Sequence, residues 1–143
     1  MTFLTELVDG IATTLHAADV AVYRPDGLYQ PEETAITDTV MPSDPDRAIV
    51  LTVYDTTDTQ NLTDTTVYLQ VRTRAGEDPR EVAELDDAVF DVLHNSGPYI
   101  FGTTIVVLIT RQSAAMLGAD QTGRFERTSN YVVRAHRVSP RLE

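Results

Sequence analysis

Three histidines, 22 carboxylates and 11 arginines are the side chains of this 143-residue chain with the most capacity for chemistry. Their spacing points away from catalysis. His16, His94 and His136 fall in three different segments, without the short separations that let imidazoles share a metal. Asp44 and Asp46 flank Pro45 in one loop, and Asp55 and Asp58 sit in another. Either pair would meet a hard cation, but a calcium loop needs more oxygen ligands and a closing glutamate. Asp86 and Asp87 read as ordinary surface charge on a helix. Gly76, Gly97, Gly102, Gly118 and Gly123 never reach the spacing of a phosphate-binding loop, and neither GxSxG nor HExxH occurs. With no cysteine, disulfides, thiolate nucleophiles, iron–sulfur clusters and cysteine–zinc sites are excluded. The reading is of a non-enzyme that needs no cofactor and no metal.

The arginines say more. Every basic residue is Arg, and the formal charge is -11. That balance argues against a nucleic-acid footprint, which needs a basic face. Residues 1–71 hold 12 acids against Arg24 and Arg47, for a net -10, whereas residues 72–143 hold 10 acids against nine Arg, for a net -1. One face or end is therefore expected to be strongly negative, either for solubility alone or as a repelling and steering surface. In the second half, Arg72 and Arg74 recur at the strand period of two, and Arg134 and Arg111 fall in two later strands. If those strands are neighbours, the uncovered face of a sheet carries Tyr68, Gln70, Arg72, Arg74, Arg111 and Arg134. Such a face is either solvated or a subunit interface, where Arg and Tyr are favoured.

The elements that must position these residues are legible in outline. Leu4, Leu7, Val8, Ile11 and Leu15 follow the helical period and predict a helix over 2–17, with Thr2 as N-cap and Gly10 as a cost or a close approach. Val20–Tyr23 is a short extended run stopped by Pro25-Asp26-Gly27. Residues 24–47 form a long acidic, mobile loop interrupted by prolines, with one weak strand or turn near Ile36–Val40, and within it 29–47 are expected to be mobile in the isolated subunit and to order on a neighbour or on the tail. Ala48–Tyr54 reads as a central strand, and Thr65–Arg74 as a strand with Val67, Leu69 and Val71 inward. Asp78-Pro79 with Glu81 predicts a capped helix over 79–94 that buries Val82, Leu85 and Val89 and ends at Asn95-Ser96-Gly97-Pro98. Thr103–Arg111 and Arg124–Arg137 complete the strands, with a loop over 112–124 between them. The expectation is one domain over 1–143 of α+β class: a mainly antiparallel sheet of about four strands, with two helices packed on one face. No stretch approaches 18 apolar residues, so no membrane span is expected, and the opening residues lack the basic flank of a signal peptide.

The last third adds a resemblance. Arg111-Gln112-Ser113, Gly118 with Asp120, Gly123-Arg124-Phe125, and Asn130-Tyr131 through Arg137 resemble the closing segment of tail terminator proteins of long-tailed bacteriophages, also described as minor tail or minor capsid proteins. Val71–Pro79, its following helix and the opening helix look like the same family, so the resemblance is near full-length and weakest over 24–47. It implies a structural virion protein without catalytic residues. Such proteins form a ring, usually a hexamer, that caps the tail tube, stops its polymerisation and receives the head-tail connector. The implied place is the head-proximal end of the tail, after assembly in the host cytoplasm. The implied partners are further copies of the chain, the tail tube protein and the connector protein, while genomic DNA crosses the lumen without specific binding. The alternatives are another connector or tail tube component, or a non-viral protein-binding domain.

Overall fold

The computed structural model describes residues 1–60 and 62–141; Asn61, in the polar connection, and Leu142–Glu143, in the polar tail, lie outside them. Helix α1 spans Phe3–Ala17, and the Thr2 N–H donates to Thr5 Oγ1 at its start. Its stripe of Leu7, Ile11 and Leu15 is fully buried. Gly10 is the close approach: an added Cβ would fall within 2.5 Å of three atoms of the Phe101 ring. Helix α2 spans Pro79–Leu93, and the Asp78 carboxylate accepts the Arg80 N–H at its N-terminus. Glu81 takes the Gly76 N–H rather than closing a reciprocal box on Asp78. Asn95, not Gly97, is the first residue past this helix with a left-handed backbone, at φ 58°.

Among the described residues the sheet has six strands rather than about four: β1 Ala35–Asp38, β2 Ala48–Asp58, β3 Asp64–Arg74, β4 Tyr99–Phe101, β5 Thr104–Ala119 and β6 Phe125–His136. Their spatial order is β1-β2-β3-β6-β5-β4, with β1 parallel to β2 and every other pair antiparallel. The two extra strands are short edge pieces. β1 lies inside the segment read as a loop, where Ile36 is buried against β2. β5 also overruns its expected end, because Ser113–Ala119 keep pairing with Asn130–Phe125 where a loop was expected. That stretch, Gln112–Ala119, has no β-branched residue, so the ladder to β6 rather than intrinsic preference holds it extended.

Both helices lie on one face, as expected. Leu7, Ile11 and Leu15 of α1 and Leu85, Val89 and Leu93 of α2 join one cluster with Ile49, Leu51, Val67, Leu69, Val71, Ile109, Tyr131 and Val133 of the sheet. Each such aliphatic side chain contributes roughly 1.5–3 kcal/mol by leaving water. Among the described residues, no helix lies on the other face of the sheet.

Candidate subunit interface

Alternation along β3 points Thr66, Tyr68, Gln70 and Arg72 away from the helices, and the register sets them opposite Arg134, Val132, Asn130 and Thr128 of β6. The expected open face therefore exists. Tyr68 packs against Tyr54, with ring centroids 6.2 Å apart. Arg72 Nε donates to Glu126 Oε1 at 2.5 Å, so its charge is matched within the subunit. Arg134 is exposed, and among the described residues it makes no ion pair. Tyr68, Arg72 and Arg134 thus share the face assigned to them.

Arg74 follows the same strand period but is covered, and Arg111 lies on the other face. Arg74 is only 2% exposed. Its guanidinium donates from Nε to the Asp46 carbonyl and from an Nη to the Pro45 carbonyl, both at 2.8 Å, so the 43–46 loop closes over it. Burial, then the nearby Arg124 charge, pull the Arg74 pKa below the usual guanidinium value. Arg124 reinforces the anchor by donating to the Ser43 carbonyl at 2.8 Å while its Nε holds Asp120 at 2.8 Å. Burial opposes ionisation of Asp120, but the backbone N–H of Arg124, the Thr122 hydroxyl and N–H, and the Arg124 guanidinium hold its carboxyl well below the usual range.

Arg111 stands opposite Tyr131 and so lies on the helix-bearing face. There it ion-pairs with Asp86 at 3.6 Å and sits 4.2 Å over the Phe90 ring. Asp86 is not surface charge. It is 1% exposed, and it accepts from Ser129 Oγ at 2.7 Å and Arg127 Nε at 3.2 Å. Burial first, and the Asp86 carboxylate second, push the Tyr131 hydroxyl far above the usual phenol range. His94 stacks on Phe90 with centroids 4.5 Å apart, and its Nδ1 accepts the Arg111 N–H at 2.9 Å. His16 does the same for the Tyr23 N–H. Both rings thus accept a backbone N–H through Nδ1. His136 instead faces Asp64 at 3.1 Å.

Among the described residues, two stretches of sheet edge carry no neighbouring strand, a feature that composition alone did not reveal. β4 covers β5 only at Thr104–Val106, and Ser96 and His94 satisfy Ile109 and Arg111. From Gln112 to Leu117 every residue of β5 is exposed, including Met116 and Leu117. On the opposite side of the sheet, the pairing of β1 with β2 stops at Leu51, and Val53–Asp58 of β2 runs on uncovered, with Tyr54 half-exposed. The signal was present in the sequence as eight uncharged residues, Gln112–Ala119, in a chain that is 23% charged.

Among the described residues, no His, Asp or Glu cluster fit to hold a metal occurs and no helix is long and apolar enough to cross a membrane. Comparison with known proteins adds the following. A family described as bacteriophage tail terminator protein matches residues 14–137. No curated protein sequence matches. Among solved structures, a chain from the virion of a native gene transfer agent particle superimposes with TM-score 0.60 at 14% identity, over 94% of this chain and 96% of that one.

Proposed function

The chain belongs to the bacteriophage tail terminator family, and from that premise we propose that it assembles into a ring, six copies in the family's usual form, that caps the tail tube and ends its growth. The same ring offers the surface on which the head-tail connector docks, at the head-proximal end of the virion tail. The protein is a structural component and not an enzyme. The observation that carries the reading is the family match across 14–137, which spans α2, both halves of the charge split and all six strands.

The charge distribution supports the finer reading. Apart from Arg24–Glu33 and Arg124–Asp46, the carboxylates of residues 1–71 meet no arginine among the described residues. The excess of negative charge in that half is therefore not quenched within the subunit. Head-to-tail contact of this half with the Arg-bearing half of the next copy brings unlike surfaces together, which a closed ring requires. An acidic ring does not hold phosphate, so DNA crosses it without specific binding. Negative-stain imaging of the purified protein at high concentration, alone and with tail tubes, tests the proposal. Closed rings, and tubes that stop growing when the protein is added, are expected. Unlimited tube growth with no ring at any concentration refutes it.

A further inference from the structure

We propose that the seam between copies is a β-ladder, in which the open edge of β5, Gln112–Ala119, pairs antiparallel with the open edge of β2, Val53–Asp58, of the next copy. The inference rests on the ring reading above and names the surfaces that build it.

An exposed strand edge with unpaired N–H and C=O groups is a template for another strand, and monomeric proteins blunt it with charge, proline or bulges. Gln112–Ala119 contains neither charge nor proline, although the chain as a whole carries -11. It has bulges within Arg111–Ser113 and Met116–Gly118, which strengthen local twist without removing the edge groups. Covering this edge buries Met116 and Leu117, two of the exposed large apolar side chains.

The occupant is argued from direction, level and charge. β2, β3, β6 and β5 alternate in direction, so a copy placed beside β5 by rotation presents its β2 antiparallel to it. That rotation also keeps the helix-free face on the same side all round, so Tyr68, Arg72 and Arg134 of every copy share one wall. The two open edges lie at different heights. Ala115 is level with Thr128, Arg72 and Val50, while the open part of β2 carries Asp55 opposite Tyr68 and Thr57 opposite Thr66. Bringing Ala115 beside Asp55 or Thr57 requires a stagger of about 13 or 20 Å, at about 3.3 Å per residue, over four strand spacings of about 4.8 Å each. Strands then tilt by about 35–45° to the ring axis, which is the range in which sheets close on themselves. Both Asp55 and Thr57 project from the helix-free face, as Ala115 does, so side chains match across the seam in either register. Asp55 and Asp58 come to lie along an edge that carries no acid and begins at Arg111.

The chain lacks cysteine, which makes crosslinking direct. Ala115→Cys combined with Asp55→Cys, or with Thr57→Cys, is oxidised after assembly and run on a denaturing gel. Paired β residues sit about 4.5–5.5 Å apart at Cα, within disulfide reach. The proposal predicts a covalent ladder up to the full ring for one of the two double variants, and none for the single variants. A dimer from Ala115→Cys alone indicates a two-fold β5–β5 contact and overturns the seam. Rings visible by microscopy but uncrosslinked in both registers overturn the seam and leave the ring reading standing. Particles that stay monomeric under every condition, with wild-type sequence as well, overturn the ring reading itself.

Discussion

Replacing Gly10 by alanine sets two effects of known size against each other. Gly10 lies in the interior of α1, where alanine is favoured over glycine by about 1 kcal/mol. A Cβ on this residue would stand 2.2 Å from Phe101 Cγ and 2.4 and 2.5 Å from its two Cδ atoms. Carbon atoms pack at about 3.5–4.0 Å, so the ring must shift by more than an ångström. Phe101 is stacked on Tyr99 at 5.2 Å and belongs to β4, so it cannot move alone. Overpacking of this kind costs about 1–3 kcal/mol. Gly10→Ala is therefore expected to lose about 1 kcal/mol net in urea unfolding of the monomer. In a Phe101→Ala background the obstacle is gone, and the same substitution should gain about 1 kcal/mol by helix propensity. The change of sign between backgrounds is the test. A stabilised Gly10→Ala single variant, or equal effects in both backgrounds, refutes the claim that glycine is there to seat the ring.

Asp86→Ala strands Ser129 and Arg127 without their acceptor; because both Arg127 and Arg111 keep a quarter of their side-chain surface in water, the expected loss is about 2–4 kcal/mol by chemical denaturation, and under about 0.5 refutes the buried cluster. Asp86→Asn, which still accepts from Ser129, should recover part of that loss. For Glu33, hydrogen bonds from the Arg24 guanidinium, then from the Gln30 N–H, lower the pKa from 4.5 to about 2. The folded value is depressed, so the stabilisation is complete above about 4.5 and is lost as pH falls towards 2. A carboxyl-carbon NMR titration of Glu33 with a midpoint near the ordinary glutamate value would show that this pair does not form.

Some of this architecture was legible because local rules and tertiary structure agree. Asp78-Pro79 starts α2 where capping chemistry says it should, and the Val67, Leu69, Val71 alternation is buried as read. β1 showed only as a weak strand or turn near Ile36–Val40 and β4 escaped notice, because strands of four and three residues exist only through their partners. On the candidate face, the period of two placed Tyr68, Arg72 and Arg134 correctly but failed for Arg111. One extra residue between Val106 and Leu108 shifts the phase of β5, so Ile109 and Arg111 turn towards the helices. Arg74 obeys the period and is buried nonetheless, because a loop nearly thirty residues away in sequence folds over it. Asp86 looked like its neighbour Asp87, and only the position of Ser129 and Arg127 on β6 distinguishes them.

The way Arg74 and Arg124 hold the 43–46 loop has a consequence for how the surface can evolve. Three of their four hydrogen bonds to it end on main-chain carbonyls, of Ser43, Pro45 and Asp46. A carbonyl is present whatever side chain is attached to it. The two guanidinium groups therefore fix the path of the loop without dictating its sequence. Ser43, Asp44 and most of the acidic stretch around them can drift in charge, size and polarity while the backbone stays in place. The fold thereby separates a replaceable outer chemistry from a fixed inner grip, and a lineage meeting a new neighbour at this corner can change one without dismantling the other.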